Sequence, residues 1–114
     1  MSAITTHVLD IAIGRPVAGL TVVLETRGPD GGWLEAGRGA TEADGRLRTL
    51  MEASTVLVPG MYRLLFLTRA YFEAQGTRAF YPEVVVTFEA VRGEAQYHVP
   101  LLLSPYGYST YRGT

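Results

Sequence analysis

The sequence predicts an all-β fold, an antiparallel sandwich or barrel carrying one short helix. Turn signals recur along the chain, the segments between them mostly alternate apolar and polar side chains with period two, and one stretch breaks that alternation. The turn signals are residues 28–32, Asp44-Gly45, Pro59-Gly60, Gly76 and Arg92-Gly93.

Strands are expected near residues 3–10, 19–27, 33–38, 45–48, 60–67, 83–89, 95–104 and 106–112. In the second of these, Leu20, Val22 and Leu24 alternate with Thr21, Val23 and Glu25. Tyr62, Leu64 and Phe66 share a face further on, as do Val84, Val86 and Phe88. Tyr97, Val99, Leu101 and Leu103 oppose Gln96, His98, Leu102 and Ser104. Residues 68–75 lack alternation, contain good helix formers and end at Gly76, which predicts the helix. Residues 26–30 and 52–59 read as loops. Pro100 falls inside a strong strand pattern; without an N–H it belongs at a bulge or where no partner needs its amide. The run from Tyr106 to Tyr111 predicts an edge strand whose exposed aromatics invite pairing with another subunit.

A chain of 114 residues fits one domain, 1–114, with enough length for one hydrophobic core. With 47% hydrophobic and 18% charged residues, disorder is excluded. Ten basic and eleven acidic residues are well mixed and the net charge is −1, so neither nucleic acid nor an anionic membrane is an expected partner. The absence of cysteine excludes disulfides, thiolate catalysis and Cys-type zinc sites. The opening residues have no basic region followed by a long apolar core, and runs such as 99–103 are too short to span a bilayer. A soluble, cytoplasmic protein is expected.

Few side chains are suited to chemistry. The two histidines are His7, on the same strand face as Thr5 and Leu9, and His98, between Tyr97 and Val99. Imidazole titrates near neutrality and is the default general base, but from spacing alone a hydrogen-bonded histidine in a half-exposed strand is the commoner outcome. Two histidines without an evident third ligand predict no metal site. Arg46, after Asp44-Gly45, can hold a planar carbonyl or urea group through paired donors and stabilise an oxyanion; it equally fits a solvated arginine after a turn. The tail from Tyr108 to Thr114 concentrates hydroxyls, phenols and an arginine, as a surface for a polar planar ligand or as an interface strand. Ser109 lacks a nucleophile elbow around it, so covalent catalysis is not predicted.

Taken together these segments resemble the transthyretin-like family, and within it the branch of 5-hydroxyisourate hydrolases. The resemblance rests on Thr6-His7-Val8-Leu9-Asp10 with Gly14-Arg15-Pro16-Val17-Ala18, on Thr41-Glu42-Ala43-Asp44-Gly45-Arg46-Leu47, and on Tyr71-Phe72 with Phe80-Tyr81-Pro82-Glu83. Its most specific part is the end, from His98-Val99-Pro100 through Tyr108-Ser109-Thr110-Tyr111-Arg112-Gly113-Thr114. The family's hydrolases close on Tyr-Arg-Gly-Ser; here threonine keeps the hydroxyl and adds a methyl.

The resemblance implies a transthyretin (prealbumin)-like sandwich of two four-stranded antiparallel sheets with one short helix, assembled as a homotetramer, a dimer of dimers. It implies hydrolysis of 5-hydroxyisourate, a purine-derived product of urate oxidation, to 2-oxo-4-hydroxy-4-carboxy-5-ureidoimidazoline, with no cofactor. The catalytic residues it implies are His7, Arg46 and His98, with His7 favoured as base on water, His98 orienting the water or sharing its proton, and Arg46 on the oxyanion. Ser109, Thr110, Tyr111, Arg112, Gly113 and Thr114 join His7 and Arg46 as substrate-binding residues. The alternatives are a small-ligand carrier, in which apolar or small residues replace His7, Arg46 and His98, and a structural module of the same fold.

Overall fold

The computed structural model describes residues 2–114. Strands β1 (Ile4–Asp10), β2 (Arg15–Pro16), β3 (Thr21–Arg27), β4 (Trp33–Ala40), β5 (Arg46–Leu47) and β6 (Gly60–Phe66) precede helix α1 (Thr68–Ala74). Strands β7 (Val84–Ala90), β8 (Tyr97–Ser104) and β9 (Gly107–Thr110) follow it. One sheet is ordered β4-β3-β6-β7; the other runs β2-β1-β8-β9, with β5 also paired to β1. Among the described residues no helix is long and apolar enough to cross a membrane.

The sandwich and its single helix are those the sequence predicts, with two corrections. The second sheet has five strands rather than four, because the two-residue β2 pairs with the end of β1 through Leu9↔Pro16 and Asp10↔Arg15. Two residues carry no periodicity to read. That sheet is also not wholly antiparallel: β1 and β8 run parallel from Ile4↔Tyr97 to Asp10↔Leu103. Period-two alternation is the same for either strand direction, and the connection a parallel pair requires is here most of the chain.

The alternation places the core. Ile4 and Val8 of β1, Val22 and Leu24 of β3, Leu64 and Phe66 of β6, and Leu101 and Leu103 of β8 are buried between the sheets. Burying side chains of this size contributes roughly 1.5–3 kcal/mol each. Thr6, on the same inner face, is fully buried and satisfied by donating to the Val99 carbonyl at 2.6 Å.

Gly76, at φ +67°, follows the helix, as expected. Buried Phe72 seats α1 on the sandwich, and the Tyr71 hydroxyl donates to the buried Asp10 carboxylate at 2.7 Å, tying the helix to the end of β1. Pro100 lies just outside the β8–β9 ladder, whose register begins at Leu101↔Thr110, so no strand there needs its missing amide.

Candidate active site

The outward face of the five-stranded sheet collects the titratable residues. Thr5, His7 and Leu9 project from β1 between buried neighbours, and His98 projects from β8 between buried Tyr97 and Val99. The parallel register sets Thr5 beside His98 and His7 beside Pro100, while antiparallel β5 sets Arg46 opposite His7. Side chains distant in sequence therefore share one face of three adjoining strands.

Each is held by its backbone surroundings. The Asp44-Gly45 turn closes through Gly45 N–H to Glu42 O at 2.8 Å, with Gly45 at φ +83°. A Cβ there would stand 2.4 Å from the Val8 carbonyl oxygen, so only glycine lets the turn lie this close to β1. The Arg46 amide donates to Asp44 Oδ1 at 3.0 Å, and the Arg46 guanidinium makes a loose 3.6 Å ion pair with Oδ2. That amide bond, with the charges of Arg48 and Arg46, holds the Asp44 carboxyl below its ordinary value.

His7 Nε2 lies 2.8 Å from the Asp44 carbonyl oxygen. A carbonyl only accepts, so Nε2 carries the hydrogen and the neutral ring keeps its lone pair on Nδ1. His98 Nδ1 lies 2.8 Å from the Thr5 hydroxyl. Burial, then the charges of Arg46 and His7, push the His98 imidazole below its ordinary value of 6.5 and favour its neutral form.

The tail crosses this face. Gly113 N–H donates to the His98 carbonyl at 2.7 Å. The Arg112 guanidinium is 2.5 Å from Glu94 Oε2, donates to the Gln96 carbonyl at 3.2 Å and lies 4.6 Å from the centre of the Tyr97 ring. Arg112 is thus engaged as an anchor of the tail.

A cleft of about 440 Å³ opens here, lined among others by Thr5, Arg46, Arg48, His98, Arg112 and Thr114. This is the size of a small-molecule site. His7 neighbours the cleft without lining it. Thr110 and Tyr111 instead line a separate recess of about 390 Å³ with Val86, Phe88 and Val99, and Ser109 lines neither. Thr5 and Arg48 are cleft residues the sequence did not single out as functional. Their place on the faces of His7 and Arg46 was legible from alternation; the parallel pairing that brings Thr5 to His98 was not. Among the described residues no group of three or more His, Cys, Asp or Glu is placed to hold a metal ion.

A two-sheet sandwich of this topology, with imidazoles and guanidinium groups on the outer face of one sheet, defines a transthyretin-like protein whose site is polar and titratable. The topology alone does not separate enzymes from carriers, since a hydrolase and a transthyretin both share it. The chain belongs to the HIUase/Transthyretin family, whose model matches residues 4–113. It is 44% identical to the 5-hydroxyisourate hydrolase of Salmonella dublin over 111 residues, covering 97% of this chain and 80% of that protein. It resembles the structure of Klebsiella pneumoniae 5-hydroxyisourate hydrolase at 35% identity and a TM-score of 0.86, with both chains covered completely. Sea bream transthyretin, solved in complex with thyroxine, is similar at 31% identity and a TM-score of 0.91, with 98% of this chain and 95% of that one covered.

Proposed function

We propose that this chain, as a single domain of residues 1–114, hydrolyses 5-hydroxyisourate to 2-oxo-4-hydroxy-4-carboxy-5-ureidoimidazoline in urate degradation, needing neither metal nor cofactor. The observation that carries this reading is the shared face of Arg46, His7 and His98, with His98 biased toward its neutral, proton-accepting form. The 44% identity to a named hydrolase supports the same substrate.

In this reaction water adds to a ring carbonyl, its proton passes to an imidazole, and the tetrahedral intermediate expels the ring nitrogen, which takes up a proton as the carbon–nitrogen bond breaks. His7 is assigned the base, acting through Nδ1 because Nε2 is committed to Asp44. His98 presents Nε2 to orient the water or share its proton. Arg46 supplies paired N–H donors to the developing oxyanion, and Arg48 adds positive charge to the same cleft. A positioned base contributes ~10²–10⁴-fold, and an oxyanion donor ~10²–10³-fold. Assembly as a homotetramer, with the exposed β9 edge as one contact, would bring Tyr111, Thr110 and Ser109 to a substrate held against a neighbouring subunit's face.

Carriage of an apolar ligand is the second reading, favoured by the likeness to thyroxine-bound sea bream transthyretin. The two guanidinium charges such a ligand would meet where Arg46 and Arg48 line the cleft weigh against it. The deciding experiment generates 5-hydroxyisourate with urate oxidase and follows its ultraviolet decay. Catalytic amounts of protein should accelerate the decay; an unchanged rate overturns the proposal.

A further inference from the structure

The cleft contains one direct hydrogen bond between side chains that the catalytic scheme does not use, that of Thr5 with His98. Its two residues are register partners on the parallel strands β1 and β8, so the hydroxyl is placed by the sheet itself. The other edge of the ring faces Gly113, where even a single Cβ would come within 2.6 Å of His98 Cδ2. The imidazole is therefore bounded by Thr5 at Nδ1 and by the tail at Cδ2, and Nε2 remains as the nitrogen available to a ligand.

We propose that Thr5 is the positioning residue of His98, accepting a hydrogen bond from Nδ1–H so that the neutral ring keeps its lone pair on Nε2, in the cleft. A hydroxyl can donate or accept, and the choice follows from the proton cycle. When Nε2 takes a proton, Nδ1 must be a donor, because an imidazolium has no acceptor. A hydroxyl that already accepts from Nδ1–H keeps that bond unchanged through the transfer. A hydroxyl that donated to Nδ1 would instead leave the neutral ring with hydrogen on Nε2, unable to receive a proton there. The Thr5 hydroxyl hydrogen stays free to meet water or substrate in the cleft that it lines.

The inference rests on the proposed hydrolysis for its catalytic meaning, but its structural content is separately measurable. Nitrogen-15 NMR of the histidine side chains at neutral pH should show His98 with a protonated Nδ1 and an unprotonated Nε2. Thr5→Val, which removes the hydroxyl and keeps the shape, should shift the ring toward the Nε2–H form. It should also lower kcat ~10-fold or more with little change in KM. Thr5→Ser should restore both tautomer and kcat. A wild-type ring protonated at Nε2, or a Thr5→Val protein with unchanged tautomer and kcat, overturns the proposal. If the wild-type protein does not hydrolyse 5-hydroxyisourate at all, the functional reading fails while the NMR result still decides the role of Thr5.

Discussion

Gly113 and His98 are joined as an isolated antiparallel bridge, and a side chain on the glycine would have no room beside the imidazole. The chain's tail thus runs against the ring it helps to confine. Gly113→Ala puts a methyl 2.6 Å from His98 Cδ2 and 3.3 Å from Pro100 Cγ, so the ring turns or the tail lifts. Misplacing a reacting group by about an ångström costs on the order of 10²-fold, and kcat/KM should fall by that order. The melting temperature should scarcely move, because no core residue is touched.

The anchor behind that bridge is the Arg112–Glu94 ion pair, exposed on both sides at 54% and 44%. Surface pairs of this kind contribute roughly 0–1 kcal/mol, so Glu94→Gln should leave global stability nearly unchanged. Hydrogen exchange at the Gly113 amide should quicken, and KM should rise a few-fold as the tail loosens. Unaltered exchange at Gly113 would show that the Tyr97 ring and the Gln96 carbonyl suffice to hold Arg112.

His7→Ala, Arg46→Ala and His98→Ala should each lose most activity, on the order of 10²-fold, while the protein's native mass persists. Activity near wild type in any two of the three defeats the proposed division of labour.

The pH dependence follows from the environment of His98. Burial and the charges of Arg46 and His7 favour its neutral form, so His98 can orient the water or share its proton down to lower pH, and the limb of kcat/KM against pH that His98 sets should lie below 6.5. In the window between 6.5 and the lowered native value, the unfolded chain binds the proton that the native chain resists. Stability from this group is therefore present above 6.5 and lost as pH falls through the native value. Arg46→Gln removes one of the causes, and the His98 value read by NMR should rise while remaining below 6.5, because burial is the larger cause.

Tyr71 offers a test away from the site. Burial first, then its bond to Asp10, pushes its phenol up to about 12. Stability from the neutral phenol is complete below pH 10 and lost as pH rises toward about 12. Tyr71→Phe leaves the Asp10 carboxylate short of a donor and should cost about 1.5–3 kcal/mol, read as a lower denaturant midpoint with an unchanged slope.

The sequence by itself determined which residues face inward. Ile4, Val8, Leu64, Phe66, Leu101 and Leu103 are buried because a strand turns successive side chains to opposite faces, and that periodicity is local. The same rule put Thr5 with His7 and isolated His98 on an outward face, and Gly76 marked the end of the helix. Tertiary structure alone decided strand direction and neighbourhood. Alternation carries no sign of whether β8 runs with β1 or against it, and only the parallel arrangement delivers the Thr5 hydroxyl to His98 Nδ1. It also divided the tail, sending Gly113 and Thr114 to the cleft and Thr110 and Tyr111 to another recess, with Arg112 lining both, because Gly113 bonds back to β8 beyond the end of the β9 ladder. Contacts between residues some ninety positions apart are set by packing the whole sandwich, and no short window of sequence encodes them.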